Sequence, residues 1–143
     1  MNKRRTVNIA LIVVTTLTVA FIFSNSLASS EQSNGQSDWV MGCLHQLLNI
    51  QLPSWFVRKA AHFTEFAVLG TELAVLKHRF IRPPFTAALL SGLLVALTDE
   101  TLQLFSGRTS SVTDVWIDFS GVVCGMLMVT AVCFVISRAK NRQ

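Results

Sequence analysis

Charge is scarce in this chain. Only 14% of its 143 residues are Asp, Glu, Lys or Arg, against about 25% in an average soluble domain. Hydrophobic residues make up 51%, and the mean hydropathy is positive, +0.50. This excludes an ordinary water-soluble domain. It describes a membrane chain whose length suits one compact unit, residues 1–143. Long basic runs are missing as well. The formal net charge is +4, but the bases stand in short clusters beside apolar runs. That pattern speaks for membrane topology rather than nucleic acid. Cysteine is rare: Cys43 stands alone, and Cys124 and Cys133 share the last apolar run. No disulfide framework or metal-binding spacing can be built from them. Also absent are an H-E-x-x-H motif, a Ser or Cys nucleophile motif and an internal repeat. Ser106, Ser110 and Ser111 read as loop residues. No resident metal or other cofactor is expected, and carboxylates with one His give a divalent cation only weak support.

What the chain has is four apolar segments, at about 7–24, 56–77, 84–106 and 114–137, each near the length of a bilayer-spanning helix. Irregular backbone cannot face lipid, so helix is the expected state. The third opens after Pro83-Pro84. The first follows Lys3, Arg4 and Arg5 and precedes Ser26-Leu27-Ala28, a possible signal-peptide cleavage site. Its apolar core exceeds the usual 7–15 residues or so of a signal peptide, so an uncleaved anchor is expected.

Orientation follows from the bases. Lys3, Arg4 and Arg5 precede the first span; Lys77, Arg79 and Arg82 separate the second and third; Arg138, Lys140 and Arg142 follow the fourth. Nine of the 12 Lys and Arg thus fall on one side, which the positive-inside rule makes cytoplasmic. The expectation is a multi-pass protein of the bacterial cytoplasmic membrane with both termini inside. Between the first two spans lies a long outer loop. Its polar start, Ser24 to Ser37, reads as flexible. From Asp38 to Leu52, apolar residues (Trp39, Val40, Leu44, Leu47, Leu48, Leu52) recur at helical spacing. That predicts a short amphipathic helix with Asp38 as N-cap, serving as an anchor or as a lid over the outer face.

Three polar blocks sit inside or beside the spans. In the first, Arg58, His62, Glu65, Leu69 and Glu72 share one helix face, beside Lys59. His62 and Glu65 are neighbours at i, i+3. In the second, Asp99 and Gln103 share a face with Gly92, and Glu100 is rotated by about 100°. In the third, Asp114 and Asp118 lead a stripe continued by Gly121 and Gly125. This small-xxx-small pattern lets another helix approach closely and offers a face for self-association. Asp114 is the expected N-cap of its helix. The topology places these residues and Arg108 at the outer face, with Glu72 deeper. Charges at membrane depth are costly, so by default they indicate function. With His62 neutral, three bases face five acids near the outer end, an excess of two negative charges. Protonation, a divalent cation or a cationic ligand would offset it.

The blocks resemble the VanZ-like family of bacterial membrane proteins. The residues are Arg58-Lys59-Ala60-Ala61-His62-Phe63-Thr64-Glu65-Phe66-Ala67-Val68-Leu69-Gly70, then Asp99-Glu100-Thr101-Leu102-Gln103 with Arg108, then Ser111-Val112-Thr113-Asp114 through Asp118, Gly121 and Gly125. The end of the first span, Phe21-Ile22-Phe23-Ser24-Asn25-Ser26, is a loose match to the family's Phe-x-x-Ser-Ser-Gln. Phe66 stands where the family often has Tyr, and the chain contains no tyrosine. A phenol there is not essential in this protein. The usual Pro before Gly107-Arg108 is also missing.

The family name comes from a member associated with resistance to the glycopeptide teicoplanin. The resemblance therefore implies a cell-envelope role at the outer face, on an envelope lipid, a cell-wall precursor or a glycopeptide-type antibiotic. It supplies no reaction. By residue type, His62, Glu65, Asp99 and Glu100 are the proton-handling candidates. Arg58, Lys59, Gln103, Arg108, Asp114 and Asp118 are the ligand-binding candidates. A non-enzymatic interaction module with a structural polar network is the alternative. A small transporter or proton channel has less support, because only Glu72 lies in the inner half.

Overall fold

Every regular element is a helix. The computed structural model describes residues 3–28, 30–49, 52–79, 84–108 and 110–142. Among them run α1 (Lys3–Leu27), α2 (Ser30–Leu48), α3 (Ser54–Arg79), α4 (Phe85–Phe105) and α5 (Val112–Lys140). Pro83 and Arg82 lie outside the described residues. Three helices are long and apolar enough to cross a membrane: Arg4–Leu27, Phe85–Phe105 and Val112–Lys140. The 26-residue α3 has the length, but Arg58, Lys59, Glu65, Glu72 and Lys77 interrupt its apolar character. The expectation of a fourth span therefore rests on α3. Threonine and serine in these helices return their hydroxyls to the carbonyl one turn back, as Thr16, Thr71, Ser91 and Thr98 do. Each of these hydroxyls is thereby satisfied within its own helix.

The stretch between the first two long helices corrects the sequence reading. Ser24–Leu27 still belong to α1, and α2 begins at Ser30 rather than Asp38. Apart from the bend at Ala28, the described residues of the polar segment are helical. Asp38 lies inside α2 and caps nothing. Polar residues cost only a few tenths of a kcal/mol each in a helix. Once the Trp39 turns have nucleated, extension towards the N-terminus is cheap. The helix ends early too. Asn49 adopts a φ of 52°, and its N–H bonds to the His45 carbonyl, an asparagine-terminated C-cap. Leu52 is outside the helix. The side chains of Leu44, Leu47 and Leu48 are outside the described residues, so the expected apolar stripe is seen only at Trp39 and Val40, both exposed.

The helices alternate in direction. Thr18 meets Glu72 and Asn25 meets Glu65, so α1 runs opposite to α3. Lys59 meets Asp114, and the Phe63 and Ala67 backbones lie against Gly121 and Gly125, so α3 and α5 run parallel. Gly92 of α4 faces Val122. The core comprises Ile22, Phe66, Leu69, Ala74, Ala88, Ala96, Val122 and Met126. The starts of α3 and α5 and the ends of α1 and α4 thus share one end of the bundle, where the three polar blocks lie. Past Thr130, α5 stands exposed.

The most extensive contact joins α3 and α5, and it is glycine-built. A Cβ on Gly125 would collide with the Ala67 carbonyl and the Thr71 N–H, and one on Gly70 with the Val122 backbone. On Gly121 it would lie 2.5 Å from the Phe63 carbonyl oxygen. The Gly121/Gly125 face, expected to serve self-association, is occupied by α3 of the same chain. Backbone cannot rotate away as a side chain can. Gly121→Ala and Gly125→Ala should therefore each lower stability by about 1–3 kcal/mol, seen as a fall in thermal midpoint of the purified protein by circular dichroism. Gly35→Ala and Gly42→Ala, which meet nothing within 4 Å, should leave it unchanged or slightly raised.

Candidate functional site

The α4–α5 turn sets the mouth of the site. Gly107 takes a φ of +71°, open only to residues that tolerate left-handed backbone. The chain doubles back there, and the Arg108 N–H returns to the Gln103 carbonyl at 3.1 Å. Arg108 is thereby aimed over the bundle end, where its Nη1 donates to the Asn25 carbonyl at 3.4 Å. Next, Ser111 caps α5 by accepting from the Thr113 N–H at 3.1 Å. This corrects the expected N-cap: Asp114 lies within the first turn, three residues after the cap, and its carboxylate is 2.5 Å from the Lys59 ammonium. The turn needs a hydroxyl that can fold onto its own backbone. Asp114 is instead drawn off by a cation on the parallel helix.

Beneath the mouth the acids are buried. Asp99 has no exposed surface, Asp118 has 1% and Glu100 has 4%. Asp99 accepts from the Ser26 hydroxyl at 2.5 Å and from the Gln103 amide at 3.1 Å. Gln103 gives its second amide hydrogen to Glu100 at 2.9 Å, so one side chain holds both acids. Glu100 also accepts from the Ser110 hydroxyl at 2.8 Å and the Ser111 N–H at 3.0 Å. It pins the α4–α5 connection and is fully engaged. Asp118 is not: its Oδ2 is buried with no partner among the described residues.

His62 faces Asp99. Its Nδ1 is 3.8 Å from Asp99 Oδ2, beyond hydrogen-bond range, and has no partner among the described residues. The other neighbour offered by helix spacing, Glu65, turns to α1 and accepts from the Asn25 amide at 2.9 Å. Glu72 lies deeper and accepts from the Thr18 hydroxyl at 2.8 Å. The structure therefore joins His62, Asp99, Glu100, Gln103, Arg108, Asp114 and Asp118 with Arg58 and Lys59. It sets Glu65 at the edge and Glu72 apart.

A cavity of about 370 Å³ opens here, lined by Trp55, Arg58, Lys59, His62, Glu100, Gln103, Arg108, Asp114 and Asp118 among others. A second, of about 280 Å³, lies between α1, α2 and α3, and Ser37 and Val40 of α2 wall it opposite Arg58, His62 and Arg108. So α2 covers one flank of the site. Burial, followed by the charge of Arg58, pushes the Arg108 guanidinium below its ordinary pKa. Among the described residues neither arginine forms an ion pair with a carboxylate. The nearest donor group of three that could hold a metal is His62, Asp99 and Asp118, each with a ligand atom within 4.8 Å of the others.

Ser110, read from the sequence as a loop residue, holds Glu100, and two residues at the end of α1, Asn25 and Ser26, escaped the residue-by-residue reading. The only signal was the loose Phe-Ile-Phe-Ser-Asn-Ser match.

A family model described as VanZ/LLP1 matches residues 8–135. No curated protein and no solved structure matches the chain.

Ser26 is the support most open to test. Ser26→Ala removes a hydrogen bond to a buried acid, a loss of about 1–3 kcal/mol. It should lower the thermal midpoint of the purified protein, and Ser24→Ala, at an exposed position one turn-half away, should not.

Proposed function

The chain belongs to the VanZ/LLP1 family, and from that premise we propose that it is a membrane protein of the cell envelope that binds an anionic ligand at the outer face of the bacterial cytoplasmic membrane. In this reading α1, α3, α4 and α5 all span, α2 lies at the interface as a flank of the site, and both termini are cytoplasmic. Support comes from the ends of the bundle. Arg4, Arg5, Lys77, Arg79, Arg138 and Lys140 lie at the end away from the polar site, as the positive-inside rule asks of a cytoplasmic face. Trp55, beside the cavity and exposed, suits headgroup level.

One observation carries the ligand class. Arg58 and Arg108 line a common cavity and repel one another, and no carboxylate pairs with either among the described residues, although five acids lie close by. A phosphate or carboxylate between them would relieve that repulsion. The planar fork of arginine fits either group bidentately. Lys59 at the rim, tied to Asp114, would add a third cation. Phosphate-bearing envelope lipids and cell-wall precursors have this chemistry and reach the site from the outer leaflet. A glycopeptide-type antibiotic with a free carboxylate is a further member of the class. His62 beside Asp99 would handle a proton in any reaction on the bound ligand.

The interaction-module reading draws on the same site. Ser26, Gln103, Ser110 and Lys59 each hold an acid, and such bonds also specify helix packing. Ligand retention separates the two. Mass spectrometry of the intact protein, extracted in mild detergent and offered a long-chain polyprenyl phosphate, should show it bound. Arg58→Ala and Arg108→Ala should each weaken retention at least tenfold, the scale of one charge-assisted hydrogen bond of about 1.5–3 kcal/mol. Unchanged retention in the double variant, with its helix content intact, would favour the packing network.

A further inference from the structure

Asp118 is the least explained residue in the bundle. It is 1% exposed, lies on α5 one turn above Gly121, and leaves Oδ2 buried without a partner among the described residues. Opposite it, His62 Nδ1 is also buried without a partner. Asp99, from a third helix, offers a ligand atom within 4.8 Å of both. We propose that His62, Asp99 and Asp118 bind one divalent transition-metal cation, of the zinc or manganese class, at the floor of the cavity lined by Arg58 and Arg108.

Three observations support this beyond the presence of acids. The first is spacing. A histidine and an aspartate that bonded each other directly would close to about 2.8 Å, yet these stand 3.8 Å apart. Ligands held at about 2.0–2.2 Å from one tetrahedral ion lie roughly 3.3 to 3.6 Å from each other. The three ligand atoms, all within 4.8 Å of one another, need only small side-chain rotations to meet that range.

The second is valence. Two carboxylates and a neutral imidazole offset a dication, which removes the excess of two negative charges at this end of the bundle. The third is the outer shell. Asp99 is oriented by Ser26 through one oxygen and by Gln103 through the other, as ligating carboxylates usually are. Imidazole among the ligands favours a transition metal over calcium or magnesium.

Three protein ligands leave coordination positions open towards the cavity, where His62 and Asp118 line the wall. Only the identity of what fills those positions rests on the anion-binding reading. The ion's own binding does not need it. The sequence reading expects no resident metal, and the three ligands, which come from α3, α4 and α5, share no local motif.

The test is metal uptake by the full chain, purified without an affinity tag and stripped with chelator. Titration with Zn²⁺ or Mn²⁺, desalting and elemental analysis should give one equivalent per chain. Co²⁺ should give visible d–d bands. His62→Ala and Asp118→Asn should each cut uptake at least tenfold and abolish those bands. Asp118→Asn keeps the shape and removes the unpaired charge, so its metal-free form should melt no lower than the parent. Arg58→Ala with Arg108→Ala should lose polyprenyl-phosphate retention and keep the metal, which separates the two proposals. The inference is overturned if the stripped parent, helical and still retaining the lipid, takes up none of the three ions. Uptake that persists in the His62→Ala, Asp118→Asn double variant would overturn it equally.

Discussion

At Gly121 and Gly125 the backbone of α5 lies directly against that of α3, and the polar end of the bundle takes its register from that contact. The pairing of Phe63 and Ala67 with Gly121 and Gly125 sets both helices parallel and in step. One turn further out, the same register puts His62 across from Asp118. Near the start of α3 it puts Lys59 across from Asp114. A larger residue at either glycine would push the helices apart, and the charged groups above would no longer meet. The glycines matter here as an absence of side chain rather than as flexible backbone.

The cluster above that contact is costly to assemble. An acid buried without partners is strongly disfavoured, and three acids are buried here. The fold meets the cost with polar groups from α1, α4 and the α4–α5 turn. Ser26 comes from α1, Gln103 from α4 itself, and Ser110 with the Ser111 N–H from the turn. Compensation is uneven. Glu100 is fully engaged, while Asp118 and His62 keep unpartnered atoms. Such unevenness is poor engineering for a purely structural network, which is most stable when every member is satisfied. It is what a site with an exchangeable occupant requires.

The helical fold was legible because lipid leaves the backbone few alternatives, and each long apolar run proved to be a helix near its expected bounds. The polar face of α3 was legible from spacing alone, since Arg58, His62 and Glu65 have fixed angular positions on any helix. Helix ends were harder. Asp38 and Asp114 both had the chemistry of an N-cap, and neither caps. In α2 the helix grew past Asp38, and in α5 Ser111 took the cap while Lys59 drew Asp114 away. A cap depends on which nearby acceptor the folded chain leaves free.

Taken by itself, the order of residues determined that the chain is a helical membrane protein, which faces carry its polar groups, and that three blocks of charge belong to a VanZ-like pattern. The first two are properties of period and hydropathy, which act within one helix at a time; the third is a resemblance carried by residue identities in the three blocks. Only the tertiary structure decided which acid His62 faces, that Asn25 and Ser26 complete the site, and that the glycine stripe packs on α3 of its own chain. Each depends on the distance between helices, and that distance is set by contacts between residues 40 or more positions apart. No local pattern encodes it.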